Sequence, residues 1–299
     1  MQYQPRHWLA LIFLSVVWGT SFFLIKNGLE TFTWAQVAAL RITISFLGTL
    51  PVLFFFRKHF QLKDLKYYFL VGLTGNGIPA FCFTFAQIKI DSGIAGVLNS
   101  LTPAFTFALG VLFFALPFVK WKLIGLLTAL TGALFLVSYG SPGGKEQIWY
   151  SIPVFIATLS YATSGNLVKA FLQHGHPIVI GGVGLTSIGI PAAIYLFSTS
   201  FWELSSEPEY ITSLSSILVL ALFGTVLASI LYFRVIQNTD ALFGSLVAYL
   251  IPLVALIIGV WDGEIITFNH IIGMTAILSG IYMINSKRPF SFIRPKQLR

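Results

Sequence analysis

The chain alternates long apolar runs with short polar links, and that pattern excludes most soluble folds. A helix needs about 20 mostly apolar residues to cross the hydrocarbon of a bilayer. Runs of that kind lie near 8–28, 33–56, 66–86, 92–114, 121–139, 148–171, 177–198, 214–236, 241–261 and 269–286. Charged residues make up only 9% of the 299, against roughly a quarter in soluble domains. The first run exceeds the apolar core of a signal peptide and no small-x-small cleavage site follows it, so it is read as a retained helix. The expected fold class is an all-α integral membrane protein with ten transmembrane helices.

The second constraint is a duplication. Gly75, Asp91 and Pro103 each meet the same residue type 149 positions later, at Gly224, Asp240 and Pro252. WGTSFFLIK (Trp18 to Lys26) and YATSGNLVK (Tyr161 to Lys169) share Thr-Ser-x4-Lys at an offset of 143, and Gly125 and Gly132 match Gly273 and Gly280 at 148. Five spans in each copy is an odd number, so the second copy must sit upside down relative to the first. The reading is two inverted five-helix repeats, 1–140 and 148–288, joined by a linker at 141–147 (SPGGKEQ) and followed by a basic cytoplasmic tail at 289–299. Inverted repeats of this kind predict a transport site near the midplane.

The formal charge of +8 does not imply nucleic-acid binding, because the basic residues sit in the links. Fourteen of the 18 Lys and Arg fall on one side, from Arg6 and the 57–66 link to Lys287–Arg299. The positive-inside rule makes that side, with both termini, cytoplasmic. The outward link SFWELSSEPEY carries Glu203, Glu207 and Glu209 and no base, in agreement. A multi-pass protein of a bacterial inner (plasma) membrane is expected. The single cysteine, Cys82, and the His174–His176 pair lack further ligands at metal-binding spacing, so no metal and no cofactor is called for.

In its motifs the chain resembles the drug/metabolite transporter superfamily, in its ten-helix EamA branch. The resemblance rests on Trp18-Gly19 with the downstream Lys26, LRITIS around Arg41, DSGIAGVLNSLTPAF, its counterpart DALFGSLVAYLIPLV, and WDGE followed by IIGMTAILSGIYMI. It covers essentially the whole chain. It implies a central cavity bounded mainly by helices 1, 3, 4, 6, 8 and 9, with helices 5 and 10 peripheral, and carriage of small metabolites, often amino acids or their analogues. One departure stands out: Ala115 occupies the first-half position equivalent to Glu264, so that carboxylate cannot be essential to both halves.

Several polar and aromatic residues inside the spans are candidates for substrate binding. They are Trp18, Ser21, Asn76, Asn99, Tyr161, Ser164, Ser245 and Tyr249. Such groups either tie helices together or face a wet cavity; Asn166 belongs to the same set of alternatives. Pro103 and Pro252 are expected to kink helices 4 and 9 and to disturb the carbonyls of Asn99 and Ala248, as packing kinks or as gating elements. Asp91 and Asp240, immediately before those helices, are expected to cap them. Arg41 has two readings, a contact to a substrate carboxylate or a structural or snorkelling role; the second is preferred because helix 2 is not central to the cavity that the resemblance implies. That leaves no Lys or Arg at the cavity centre, which favours a neutral, zwitterionic or aromatic substrate. Lys26 and Lys169 either guide anions at the two mouths or snorkel.

The resulting expectation is an exporter or facilitator of amino acids or related amphiphilic compounds, working by alternating access. Its partners are a small-molecule substrate and the lipid bilayer; the oligomeric state is open. A nucleoside or sugar carrier, a membrane-embedded enzyme and a non-transporting scaffold are the alternatives. The five histidines at span ends and in links offer no converging catalytic set.

Overall fold

The computed structural model describes residues 4–139 and 144–286. The tail read at 289–299, residue 140 at the end of the first repeat and residues 141–143 of the linker lie outside them. Among the described residues the chain is helical: α1 (Pro5–Leu29), α2 (Trp34–Phe56), α3 (Leu62–Ala86), α4 (Ser92–Phe113), α5 (Lys120–Tyr139), α6 (Gly144–Phe171), α7 (Pro177–Phe197), α8 (Tyr210–Asn238), α9 (Ala241–Trp261) and α10 (Phe268–Asn285). Eight of these are long and apolar enough to cross a membrane; α6 and α10 fall outside that set. Helix α6 is diluted by Ser151, Thr158, Ser160, Thr163, Ser164 and Asn166, and it starts within the stretch read as linker. The apolar part of α10 spans only Phe268–Ile284.

Where lipid offers no hydrophobic drive, helices hold together through small residues that let backbones approach. Gly125 of α5 packs against Gly280 of α10, and Gly132 packs against Gly273 and Ala276. The α1–α9 crossing closes at Gly19, against Val254 and the Ile251 carbonyl. Gly72 of α3 meets the backbone of Gly184 in α7 so closely that a Cβ there would collide with it. The largest apolar cluster joins α1, α4, α5, α9 and α10 through Leu11, Leu14, Leu98, Ala129, Ile251 and Ile277. A second, around Tyr68, Val168, Ile180 and Ile236, ties α3 to α6, α7 and α8.

The caps of α4 and α9 differ. Asp240 accepts from the Phe243 amide at 2.7 Å, as expected. Asp91 sits at the N-cap of α4, but its side chain makes no capping bond. The carboxylate that caps α4 arrives from the α9–α10 link instead: Glu264 Oε1 accepts from the Ser92 amide at 2.8 Å and Oε2 from the Gly93 amide at 2.9 Å. These two bonds sit at the positive end of α4, and the Ser92 and Gly93 amides are satisfied by Glu264 rather than by Asp91. Ala115, in the equivalent place of the first half, has no carboxylate and takes a left-handed φ of 53°. Beside this cap, Lys26 of α1 pairs with Asp262, and Lys169 of α6 donates to the Thr239 carbonyl at 2.6 Å. Both lysines are engaged with protein groups, which replaces the expectation of free anion guides.

Two outcomes follow. Gly72→Ala forces α3 and α7 apart and lowers stability in detergent by about 1–3 kcal/mol. Gly165→Ala, where a Cβ meets nothing closer than 3.6 Å, leaves the melting temperature within error. Burial raises the Glu264 carboxyl above its ordinary range, the Gly93 and Ser92 amides only partly offsetting it. A raised folded pKa favours the protonated fold, so this group's contribution is present in acid and is lost as pH rises through that pKa. Thermal melts should show the stability of wild type relative to Glu264→Gln falling across that acidic window.

Candidate functional site: a polar cavity at irregular helix turns

A cavity of about 790 Å³, including its open mouth, lies among α1, α3, α4, α6, α8 and α9, with one residue from α2. The helices around it are irregular where they pass it. Residues Leu73–Gly77 of α3 form a π turn. Pro79, two residues beyond it, has no N–H to offer the Gly75 carbonyl four residues earlier. A second π turn, Leu220–Leu227, interrupts α8 at the position 149 residues on. There the Thr225 hydroxyl donates to the Leu220 carbonyl, five residues back, at 3.3 Å. Such widened turns concentrate at functional sites.

Helices α4 and α9 are also broken, at non-equivalent places. In α4 the helix stops at Asn99 and resumes at Thr102, with Pro103 in the first turn of the second piece. The Asn99 carbonyl accepts from the Thr102 hydroxyl at 2.8 Å, so it is not free for a ligand. In α9 the interruption falls at Leu246, between Ala241–Ser245 and Val247–Trp261. Pro252 lies inside the second piece rather than at the break. The Tyr249 amide bonds to the Leu246 carbonyl, three residues back, at 3.0 Å. This tight winding aligns Ser245, Ala248 and Ile251 on the cavity. Tyr249 is turned away and packs on the main apolar cluster, which corrects its expected place in the lining.

The other candidates come together. Trp18 Nε1 donates to the Gly224 carbonyl at 2.8 Å, and the indole meets the Tyr232 ring edge-on at 5.2 Å. Tyr161 stacks on Phe83 at 6.0 Å. Ser21 and Ser245 bond back to their own helices, at the Val17 and Leu242 carbonyls. Ser229 donates to Asn76 Oδ1 at 3.2 Å. Three buried lining atoms have no hydrogen-bond partner among the described residues: Asn76 Nδ2, Asn99 Oδ1 and Ser164 Oγ. Asn166 is different, for its amide donates to the Thr106 and Ala162 carbonyls and ties α6 to α4.

The contacts around the cavity are reciprocal. A Cβ at Gly75 would lie 2.6 Å from Ser164 Oγ, and one at Gly224 would lie 3.1 Å from Ser21 Oγ. The repeat interchanges these pairs: Gly75 corresponds to Gly224, and Ser21 to Ser164.

Arg41, for which the sequence favours a structural or snorkelling role over a substrate contact, lies in the wall of the cavity. It is only 6% exposed. Its Nε donates to Thr225 Oγ1 in the α8 π turn at 2.8 Å, and Tyr161 lies beside it. Ser45, one turn on, donates to the Ala221 carbonyl at 3.1 Å, so α2 leans on the irregular part of α8 and carries Arg41 inward. The hydroxyl at 45, one turn from a mid-span arginine, was the available signal.

The chain is similar to several named proteins. It is 25% identical over 285 residues to an uncharacterized transporter of Archaeoglobus fulgidus, covering 95% of this chain and all of that one. It is 27% identical to a probable amino-acid metabolite efflux pump of Salmonella typhimurium, covering 92% and 93% of the two. A probable terminal-alkyne amino-acid exporter of Streptantibioticus cattleyicolor is 23% identical with 93% of each covered. One solved crystal structure superposes over 95% of this chain and 97% of its own with a TM-score of 0.67 at 15% identity, a likeness of fold alone. The model of the EamA-like transporter family matches twice, over residues 6–138 and 148–286. This multi-pass membrane protein belongs to the EamA-like transporter family.

Proposed function

We propose that the protein is a carrier for small neutral or zwitterionic metabolites, namely amino acids or related amphiphilic compounds. In this reading ten helices form two inverted five-helix repeats, and the bundles rock about the cavity to give alternating access. The observation that carries the reading is the reciprocity of the contacts. Gly75–Ser164 and Gly224–Ser21 exchange under the repeat, and so do Gly125–Gly280 and Gly132–Gly273. Pairs that interchange in this way are what a two-fold relation between halves produces, and five spans per half would put that axis in the membrane plane. The cavity lies on the seam between the repeats.

The lining suits a carrier better than an enzyme. It contains no Asp, Glu, His or Cys, the side chains that acid–base and nucleophilic chemistry most often uses. For the same reason a carboxylate relay for coupling protons is not part of this reading. Trp18, Ser21, Asn76, Asn99, Tyr161, Ser164 and Ser245 are assigned to substrate contact, and the breaks near Pro103 and Pro252 to flexing between states. The names of two relatives, an amino-acid metabolite efflux pump and a terminal-alkyne amino-acid exporter, support the substrate class. Both termini are assigned to the cytoplasm and the protein to the plasma membrane.

The function test is a proteoliposome flux screen over amino acids, nucleosides and small sugars, with and without a pH gradient. Amino acids are expected to move, and Asn99→Ala and Trp18→Ala are each expected to slow that flux by roughly 5- to 100-fold, the loss of a buried hydrogen-bonding group, at unchanged protein level. Saturable flux of sugars alone contradicts the substrate class. The orientation test labels single cysteines at Gln4→Cys, Lys63→Cys and Ser206→Cys with an impermeant reagent. The first two should react from the cytoplasmic side and the third from the opposite side.

A further inference from the structure

Arg41 is a cation buried at membrane depth without an anion. The ion pairs among the described residues are Lys26–Asp262 and His174–Asp64, and neither involves Arg41. Its neighbours are neutral: Thr225 Oγ1 accepts a hydrogen bond from Nε–H and the Tyr161 side chain bonds to the guanidinium. Buried charge is retained in membranes where it is paired or meets a solvated ligand path. A guanidinium has five N–H donors in a planar fork that matches a carboxylate in a bidentate pair.

From this we infer that Arg41 is the carboxylate receptor of the cavity, and that the ligand is a monocarboxylate with an apolar or aromatic side chain. The inference rests on the carrier reading for its physiological meaning, but the binding chemistry stands on its own geometry. Arg41 is the one Lys or Arg in the lining, so a single anionic group is recognised. The unpartnered Asn76 Nδ2 and Ser164 Oγ supply further polar groups on the same walls. For an α-ammonium the cavity has a neutral acceptor, the unpartnered Asn99 Oδ1, and no carboxylate. A positively charged amine without a carboxylate therefore meets a net cationic site. Phe22, Phe83 and Phe233 form apolar walls for the rest of the molecule.

The interaction with Thr225 makes Arg41 a fixed fork rather than a swinging charge. Nε–H of Arg41 donates to Thr225 Oγ1, and that hydroxyl donates onward to the Leu220 carbonyl within the π turn. The widened turn of α8 thus orients the guanidinium, and Thr225 is a positioning residue.

The test is equilibrium binding to the purified full chain in nanodiscs, by calorimetry, with L-phenylalanine, L-leucine and 3-phenylpropionate against L-phenylalaninamide and phenethylamine. Wild type is expected to bind the carboxylates at least about tenfold more tightly than the amide and the amine, a charge-assisted pair amounting to about 1.5–3 kcal/mol. Arg41→Gln is expected to abolish that ratio, Arg41→Lys to keep part of it, and Thr225→Val to reduce it while the protein remains folded. A purely structural role for Arg41 would change stability without moving the acid-to-amide ratio. If Arg41→Gln does not fold, the wild-type ratio decides alone. Equal binding of acid and amide, or no binding of any carboxylate, overturns the inference. Carboxylate binding without flux in proteoliposomes would leave it standing and remove the carrier reading instead.

Discussion

Every backbone N–H and C=O inside a bilayer must find a partner within the protein, because lipid supplies none. That requirement organises the centre of this molecule. Four helices depart from regular winding beside the cavity, and side chains from neighbouring turns and helices repair much of the loss. The indole of Trp18 reaches the Gly224 carbonyl, Thr102 covers the carbonyl of Asn99, and Ser45 of α2 bonds the Ala221 carbonyl within the second π turn. The cost of irregular backbone is thereby met by polar side chains, two of which, Trp18 and Thr102, line the cavity.

The two halves use the same geometry with different chemistry. In the second half Asp240 caps its own helix, while in the first half the cap comes from Glu264 across the molecule. Ala115 cannot return the gesture, and α9 does not need it. One end of the assembly is therefore fastened by charge, through Glu264 on the α4 amides and Lys26 on Asp262. At the repeat-equivalent position Lys169 finds only the Thr239 carbonyl.

Much of this was legible in the sequence because it depends on local patterns. The apolar runs mark the helices, and the repeat, at offsets of 149 and 143, matches the glycines and the serines that face each other around the cavity. Trp18 and Tyr161 were found because an aromatic residue with a polar atom needs a partner when buried, and Asn99 because a strongly polar side chain lay beside a proline. What was not legible depends on contacts between distant segments. Nothing in LRITIS shows that α2 leans on the π turn of α8, so the sequence alone does not decide between a substrate contact and a structural or snorkelling role for Arg41, and favours the latter. Nothing near Asp91 shows that a carboxylate 173 residues later takes its amides. Tyr249 was misplaced because ordinary helical spacing was applied across a tight turn at Leu246, where a period nearer three rotates it off the wall.

The account stands or falls on whether the cavity at the repeat seam opens to each side of the membrane in turn. The direct measurement places one cysteine in the lining, Ser229→Cys in a Cys82→Ser background, and exposes it to an impermeant thiol reagent in right-side-out and in inside-out vesicles. Modification from both faces, each slowed by a saturating transported substrate, is the predicted result. Modification from one face only, or from neither under any substrate condition, would contradict alternating access through this site.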